Sequence, residues 1–356
     1  MSESPSNASS NSADWIRQTI RLANQLSMKD IPLPLLRDDL RGQYSSLIES
    51  VEYLLLATHR RRQLILPELS AFNNESLGIF SDYSGEGSGR YFVYSVLVCG
   101  FNMRAHVDAR MAEIRSRFRL GSKEIAYKDL SMGQIRRALP EYLAASDLLP
   151  GLLCTVAVDK RIESVFANEP HAQRHLASVL EDAGVGEWKP GVAEKLLRVV
   201  HLAAYLATLL GRNGQKVFWM TDHDEICPTP LHHLRLLEVF DRVLQIYQRP
   251  GTTFDKIGGA IPFAERSIEM NDLLSLPDLA AGALGVYLSK RDVLPHDEVR
   301  AKQGTEDIML WLGKPAIGLK KFCAFLRPGP GDSIERGRLE FSAVDPPARV
   351  FIPIYD

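Results

Sequence analysis

Three aspartates stand where apolar segments end or begin. Asp82 closes the run Leu77–Gly78–Ile79–Phe80–Ser81, Asp222 closes Lys216–Val217–Phe218–Trp219–Met220–Thr221, and Asp278 interrupts the apolar stretch from Leu273 to Ala283. Carboxylates are the hard oxygen donors that Mg²⁺ and Mn²⁺ prefer, and two-ion phosphoryl-transfer sites gather several of them from different elements. Each aspartate also has a plainer reading. Asp82 can turn the chain into the Gly/Ser-rich segment that follows. Asp222 can be a loop carboxylate, and Asp278, just after Pro277, can start a helix and complement its dipole. Together they point to one shared site. Asp222 belongs to the group Asp222–His223–Asp224–Glu225, where strand alternation puts Asp222 and Asp224 on one face and His223 on the other. Asp224 is therefore a further metal-ligand candidate, with Asp222 favoured because it lies nearest the buried run.

The elements needed to position these acids are legible in the hydrophobic pattern. Residues 1–14 are Ser/Asn-rich without periodicity and read as a disordered tail. Residues 15–75 carry two helical patterns separated by Pro32 and Pro34, a helical extension. From Leu77 a strand, the turn Ser84–Gly89 and the β-prone run Tyr91 to Cys99 form a hairpin. A helix over about 104–117, a strand over 152–158, a long apolar helix over 192–210 and a strand over 216–222 follow. Then come a helix over 230–247, a strand over 257–263 and a small-residue-rich helix over 276–288. This order predicts an α/β fold, a mixed sheet flanked by helices, over residues 76–292. Residues 293–356 read as a C-terminal extension with one helix and short strand-like pieces.

Composition narrows the class. With 356 residues and a formal net charge of −2, the chain has no global basic footprint, so nucleic-acid binding requires a local patch. Cys99, Cys154, Cys227 and Cys323 form no zinc pattern. Neither a secretory leader nor a long apolar span is visible, which predicts a cytoplasmic protein with reduced thiols and no membrane partner. Gly85, Gly87 and Gly89 lead into a strand rather than a helix, so they suit a hairpin turn and not a phosphate loop. P-loop, HExxH and GxSxG motifs are absent from the sequence.

Phe80–Ser81–Asp82–Tyr83–Ser84–Gly85 followed by Tyr91–Phe92–Val93–Tyr94–Ser95–Val96 resembles the opening hairpin of the bacterial domain-of-unknown-function 3800 family, usually described as RNase H-like. Lys123–Glu124–Ile125–Ala126–Tyr127–Lys128 is similar to that family's Glu-x-Lys region, with the lysine displaced by two residues. Met220–Thr221–Asp222 resembles its internal strand with terminal Asp, and Asn271 to Gly282 its C-terminal Asp-Leu-x-x-Gly helix. The likeness spans about Leu77 to Leu288 and departs at Tyr83, where the family often has Glu. It implies an RNase H-like fold and a catalytic set of Asp82, Glu124, Asp222 and Asp278 holding two Mg²⁺ or Mn²⁺ ions for phosphodiester cleavage. A setting in genome defence or mobile-element biology follows only by analogy with the family.

Beside Glu124, the cations Arg115, Arg117, Arg119, Lys123 and Lys128 supply local charge for a nucleic-acid backbone, and Arg266 lies between the last sheet strand and the Asp278 helix. A solvated helix face is the plainer reading of such a run. The alternative to a metal-dependent nuclease is a non-catalytic interaction module, assembling with a protein partner or itself through the terminal extensions. A small-molecule phosphohydrolase with the same acids is a third reading, to be recognised by a narrow pocket without a basic groove.

Overall fold

A computed structural model describes residues 17–260, 267–291, 304–331 and 333–341. Its sheet has seven strands: β1 (Ser76–Ser84), β2 (Tyr91–Gly100), β3 (Gly151–Asp159), β4 (Lys216–Thr221), β5 (Lys256–Ala260), β6 (Leu319–Pro328) and β7 (Ile334–Leu339). They lie in the order β5-β4-β1-β2-β3-β6-β7. The central hairpin is antiparallel and β3 continues antiparallel to β2. β4 and β5 run parallel to β1, β6 runs parallel to β3, and β7 returns antiparallel. The turn between β1 and β2 opens at Gly85, whose φ of +108° and close approach to Tyr91 O exclude a side chain.

Helices cover both faces, which is why β3 is buried along its whole length and reads as an unbroken apolar run. One face carries α1 (Ser46–Arg60), α4 (Ala172–Asp182), α5 (Pro190–Leu210) and α6 (Pro230–Tyr247). The other carries α2 (Ala105–Arg117), α3 (Gly133–Ser146), α7 (Ile268–Arg291) and α8 (Thr305–Gly313). Strand parity decides which side chains meet which layer. On β1, Leu77 and Ile79 join the α5 face while Phe80 joins the α7 face; on β4, Val217 and Trp219 join the first and Met220 the second.

Several expectations are revised. α7 begins at Ile268 rather than near Leu276, so Pro277 and Asp278 sit inside a 24-residue helix and not at its start. The helix-capping reading of Asp278 falls with that. The helical pattern was masked by Pro277, which lacks an N–H and leaves the Leu273 carbonyl without its usual donor. α3 and α4 were not anticipated: α3 carries Pro140 in its interior, and α4 buries only Ala172 and Leu180. The strand pieces of residues 319–339 extend the main sheet rather than stand apart. Part of the expected 257–263 strand, Arg266 and residues 1–16 lie outside the described residues. No described helix is long and apolar enough to cross a membrane.

Candidate functional site

β1 and β4 are parallel neighbours in register, Ser81 beside Thr221, and the Asp222 amide donates to Ser81 O at 3.1 Å. Asp82 and Asp222 thus leave the same carboxyl edge of the sheet, where ligand sites of open α/β sheets occur. Both share the parity of Phe80 and Met220 and face the α7 layer, the layer that bears Asp278. Three glycine- and serine-mediated contacts bring that helix in close. Ser84 Oγ donates to Ala281 O at 2.8 Å. A Cβ on Gly285 would stand 3.0 Å from the same Oγ, and one on Gly282 would stand 2.3 Å from Cγ of Tyr127. Only a helix with small residues at 282 and 285 can lie this near the hairpin and the Tyr127–Asp129 turn.

Asp82 is 8% exposed. Its Oδ1 accepts the Tyr83 amide at 2.5 Å, and Asp278 Oδ2 accepts the Tyr127 amide at 2.6 Å. Burial raises the Asp82 carboxyl well above the ordinary range, and Asp278, Asp222 and Asp224 push it further, against the Tyr83 N–H. Burial likewise raises Asp278 to about 6; the Tyr127 N–H and Lys128 oppose, while Glu124 and Asp222 add to it. Glu124 stands exposed at the rim. Loss of surrounding water raises its carboxyl, Lys128 pulls it down, and Asp222 and Asp129 raise it again. The four acids expected to act together therefore share one electrostatic field. Among the described residues no Lys or Arg forms an ion pair with Asp82, Asp222 or Asp278.

Two features bear on metal binding. The donors are all carboxylate oxygens, and Asp82, Asp222 and Asp278 have no ion-paired cation among the described residues, which suits a hard divalent ion. Yet among the described residues no three His, Cys, Asp or Glu side chains converge tightly enough to hold an ion by themselves. Mg²⁺ keeps several of its waters and needs only one or two carboxylates, so the set fits that ion through pairs rather than through a closed cage.

Asp224 is placed differently from its expected partners. Lys195 of α5 reaches its Oδ2 at 2.7 Å, and its Oδ1 accepts the Ile226 amide at 2.9 Å. Lys195 also binds Glu86 in the hairpin turn at 2.6 Å and lies 5.4 Å from the centroid of the Tyr83 ring. Burial works against the Lys195 charge, but Asp224 and Glu86 overcome it and hold the ammonium protonated. This clip between the hairpin turn and the loop after β4 was not foreseen, because Lys195 lies in an apolar helix far away in sequence. Tyr83 turns to the same face, where its hydroxyl meets Ser81 Oγ and Thr221 Oγ1. A longer acid at that position would leave the sheet on the side away from Asp82.

The basic run divides. Arg115 is a correction: its guanidinium is buried, pairs with Asp272 of α7, and donates to Gly121 O and Lys123 O, both at 2.9 Å. It anchors the loop leading to Glu124 and cannot reach a polyanion. Arg117 is exposed but engaged by Glu141 at 2.7 Å. Lys123 donates to neutral Gln134, and Arg119 and Lys128 are exposed, with no ion pair among the described residues. The chain matches none of the family models, curated proteins or solved structures with which it was compared. Fold and site therefore define it as an α/β protein with an acidic cluster, centred on buried Asp82, at the carboxyl edge of a mixed sheet.

Proposed function

We propose that this chain is a divalent-metal-dependent enzyme that cleaves phosphodiester bonds in nucleic acid, on an RNase H-like scaffold of the domain-of-unknown-function 3800 type. The observation that carries the reading is that buried Asp82 and half-buried Asp222 and Asp278 repel one another and form no ion pair with a Lys or Arg among the described residues. A scaffold with no use for such a cluster would be more stable with neutral residues there. The strand order is compatible with the RNase H-like fold that the resemblance implies.

Asp82, Asp222 and Asp278 would hold the metal and Glu124 would complete the set from the rim, while Asp224 is retained by Lys195. Bound Mg²⁺ or Mn²⁺ supplies an activated water and charge stabilisation at the leaving oxygen. The Tyr83 and Tyr127 amides orient one oxygen each of Asp82 and Asp278, leaving the other available. Lys128 sits within the field of both Glu124 and Asp278, placed to attract a phosphate. Arg119 and Lys123 extend that charge along the entry.

A non-catalytic module is the second reading, favoured by the lack of a tightly converged triad and by the small number of unpaired cations at the entry. Calorimetry with Mg²⁺ and Mn²⁺, on wild type, Asp82→Asn and Asp278→Asn, separates the two when paired with cleavage assays on labelled single- and double-stranded DNA and RNA. Metal binding and metal-dependent cleavage, both lost in the two variants, support the enzyme. A folded wild type that binds no metal and cuts nothing leaves the interaction module.

A further inference from the structure

A cavity of the described residues lies away from the acids. It has a volume of about 950 Å³ and is lined by residues preceding β1, β4 and β5, among them Ser70, Asn213 and Phe254. Those strands are parallel, so the cavity occupies their amino edge and the acids their carboxyl edge. A six-residue strand such as β4 separates the two by about 20 Å. The cavity is not a continuation of the acidic site.

Its walls are tied in place from several directions. The Glu52 carboxylate of α1 accepts the Leu35 and Leu36 amides at 2.7 and 2.9 Å. Backbone bonds Met28 N to Leu66 O and Glu68 N to Leu26 O join the helical residues 17–25 to the strand-leading segment. Asn213 Oδ1 accepts the Thr253 amide at 2.8 Å, which leaves the Asn213 amide nitrogen as a donor. A cavity preformed in this way spends little binding energy on ordering itself.

Its charge is opposite to that of the chain. Arg17, Arg21, Lys29, Arg212 and Arg249 line it, against Asp30 and Glu68. Arg212 and Arg249 serve the fold: Arg212 binds Glu68 at 3.0 Å and Gly211 O at 2.9 Å, and Arg249 donates to Pro32 O. Those contacts tie the carboxyl ends of α5 and α6 to Glu68 and Pro32 in the segments that precede β1. Arg21 and Lys29 are surplus to that need, exposed and without an ion pair among the described residues. Leu35, Pro32 and Phe254 add an apolar wall, and the volume far exceeds what an inorganic anion fills.

We infer that this cavity binds a phosphorylated small molecule of nucleotide size, its phosphates on Arg21 and Lys29 and its ring against Phe254. The site is separate from the acidic cluster and stands whether or not that cluster cleaves phosphodiesters. The test is calorimetric titration of the full chain, without metal, using ATP, AMP and adenosine. Saturable binding of ATP and AMP is expected, with adenosine about tenfold weaker or more, since charge-assisted contacts are lost. Arg21→Gln/Lys29→Gln should weaken ATP by about tenfold to a hundredfold at an unchanged melting midpoint, both side chains being exposed. Asp82→Asn should bind as wild type. Failure to saturate at millimolar ATP, equal binding by the double variant, or loss of binding in Asp82→Asn would each overturn the assignment.

Discussion

Asp278 carries the clearest pH consequence. Its folded carboxyl lies at about 6, against 3.8 for an ordinary aspartate. A carboxyl with the higher value in the folded state binds its proton more tightly there. Its contribution favours folding at low pH, is withdrawn as pH rises from 3.8 to 6, and levels off above that. Asp278→Asn keeps an acceptor for the Tyr127 amide and removes the charge. It should therefore stabilise the metal-free protein by about 1–3 kcal/mol at pH 7.5 and by little near pH 4. Urea melts of the two proteins at both pH values check this, and a pH-independent difference contradicts it. The same repulsion predicts that Mg²⁺ stabilises wild type at neutral pH. At a hundredfold excess over Kd the gain is about 2–3 kcal/mol, read as a rise in melting temperature that Asp82→Asn abolishes.

At the scale of elements, the site depends on how near α7 lies to its neighbours. Gly282→Ala places a methyl on the Tyr127 ring and must push away the turn that carries Lys128. A loss of about 1–3 kcal/mol is expected, with a larger proportional loss of cleavage than of secondary structure. Denaturant melts with parallel activity assays measure both. Arg115 acts at the same scale, tying α2, α7 and the loop before Glu124 together. Arg115→Ala should cost about 3–5 kcal/mol, because it leaves Asp272 buried and unpaired. The salt dependence of any nucleic-acid binding should be unchanged in that variant. A shallower slope would return Arg115 to the binding surface.

For the whole molecule, β6 and β7 close one side of the sheet, β7 pairing with β6 and β6 with β3, a strand with no exposed residue. A chain ending at residue 313 would bare that strand's edge and the apolar faces beneath it. It should lose cooperative thermal unfolding and aggregate, as followed by circular dichroism and light scattering. A soluble truncated chain with a sharp transition would instead mark residues 314–356 as a dispensable addition. The local signals in that region, short β-prone pieces broken by Pro328–Gly329–Pro330–Gly331, carry no information about which strand they join.

Much of this protein is written locally. The hairpin, the long apolar α5 and the strand ending at Asp222 follow from alternation, glycine placement and helical periodicity, because each is a short-range preference of the backbone and its adjacent side chains. The positions of Asp82, Asp222 and Asp278 at the margins of buried segments are legible for the same reason. What the tertiary structure alone decided depends on contacts between residues far apart in sequence. Lys195 takes Asp224 out of the acidic set, Asp272 takes Arg115 out of the basic one, and Gly282 lets α7 approach Tyr127. Sequence pattern reports whether a residue is set toward the core or toward water. It does not report which distant partner waits there, and for charged side chains that partner determines the role.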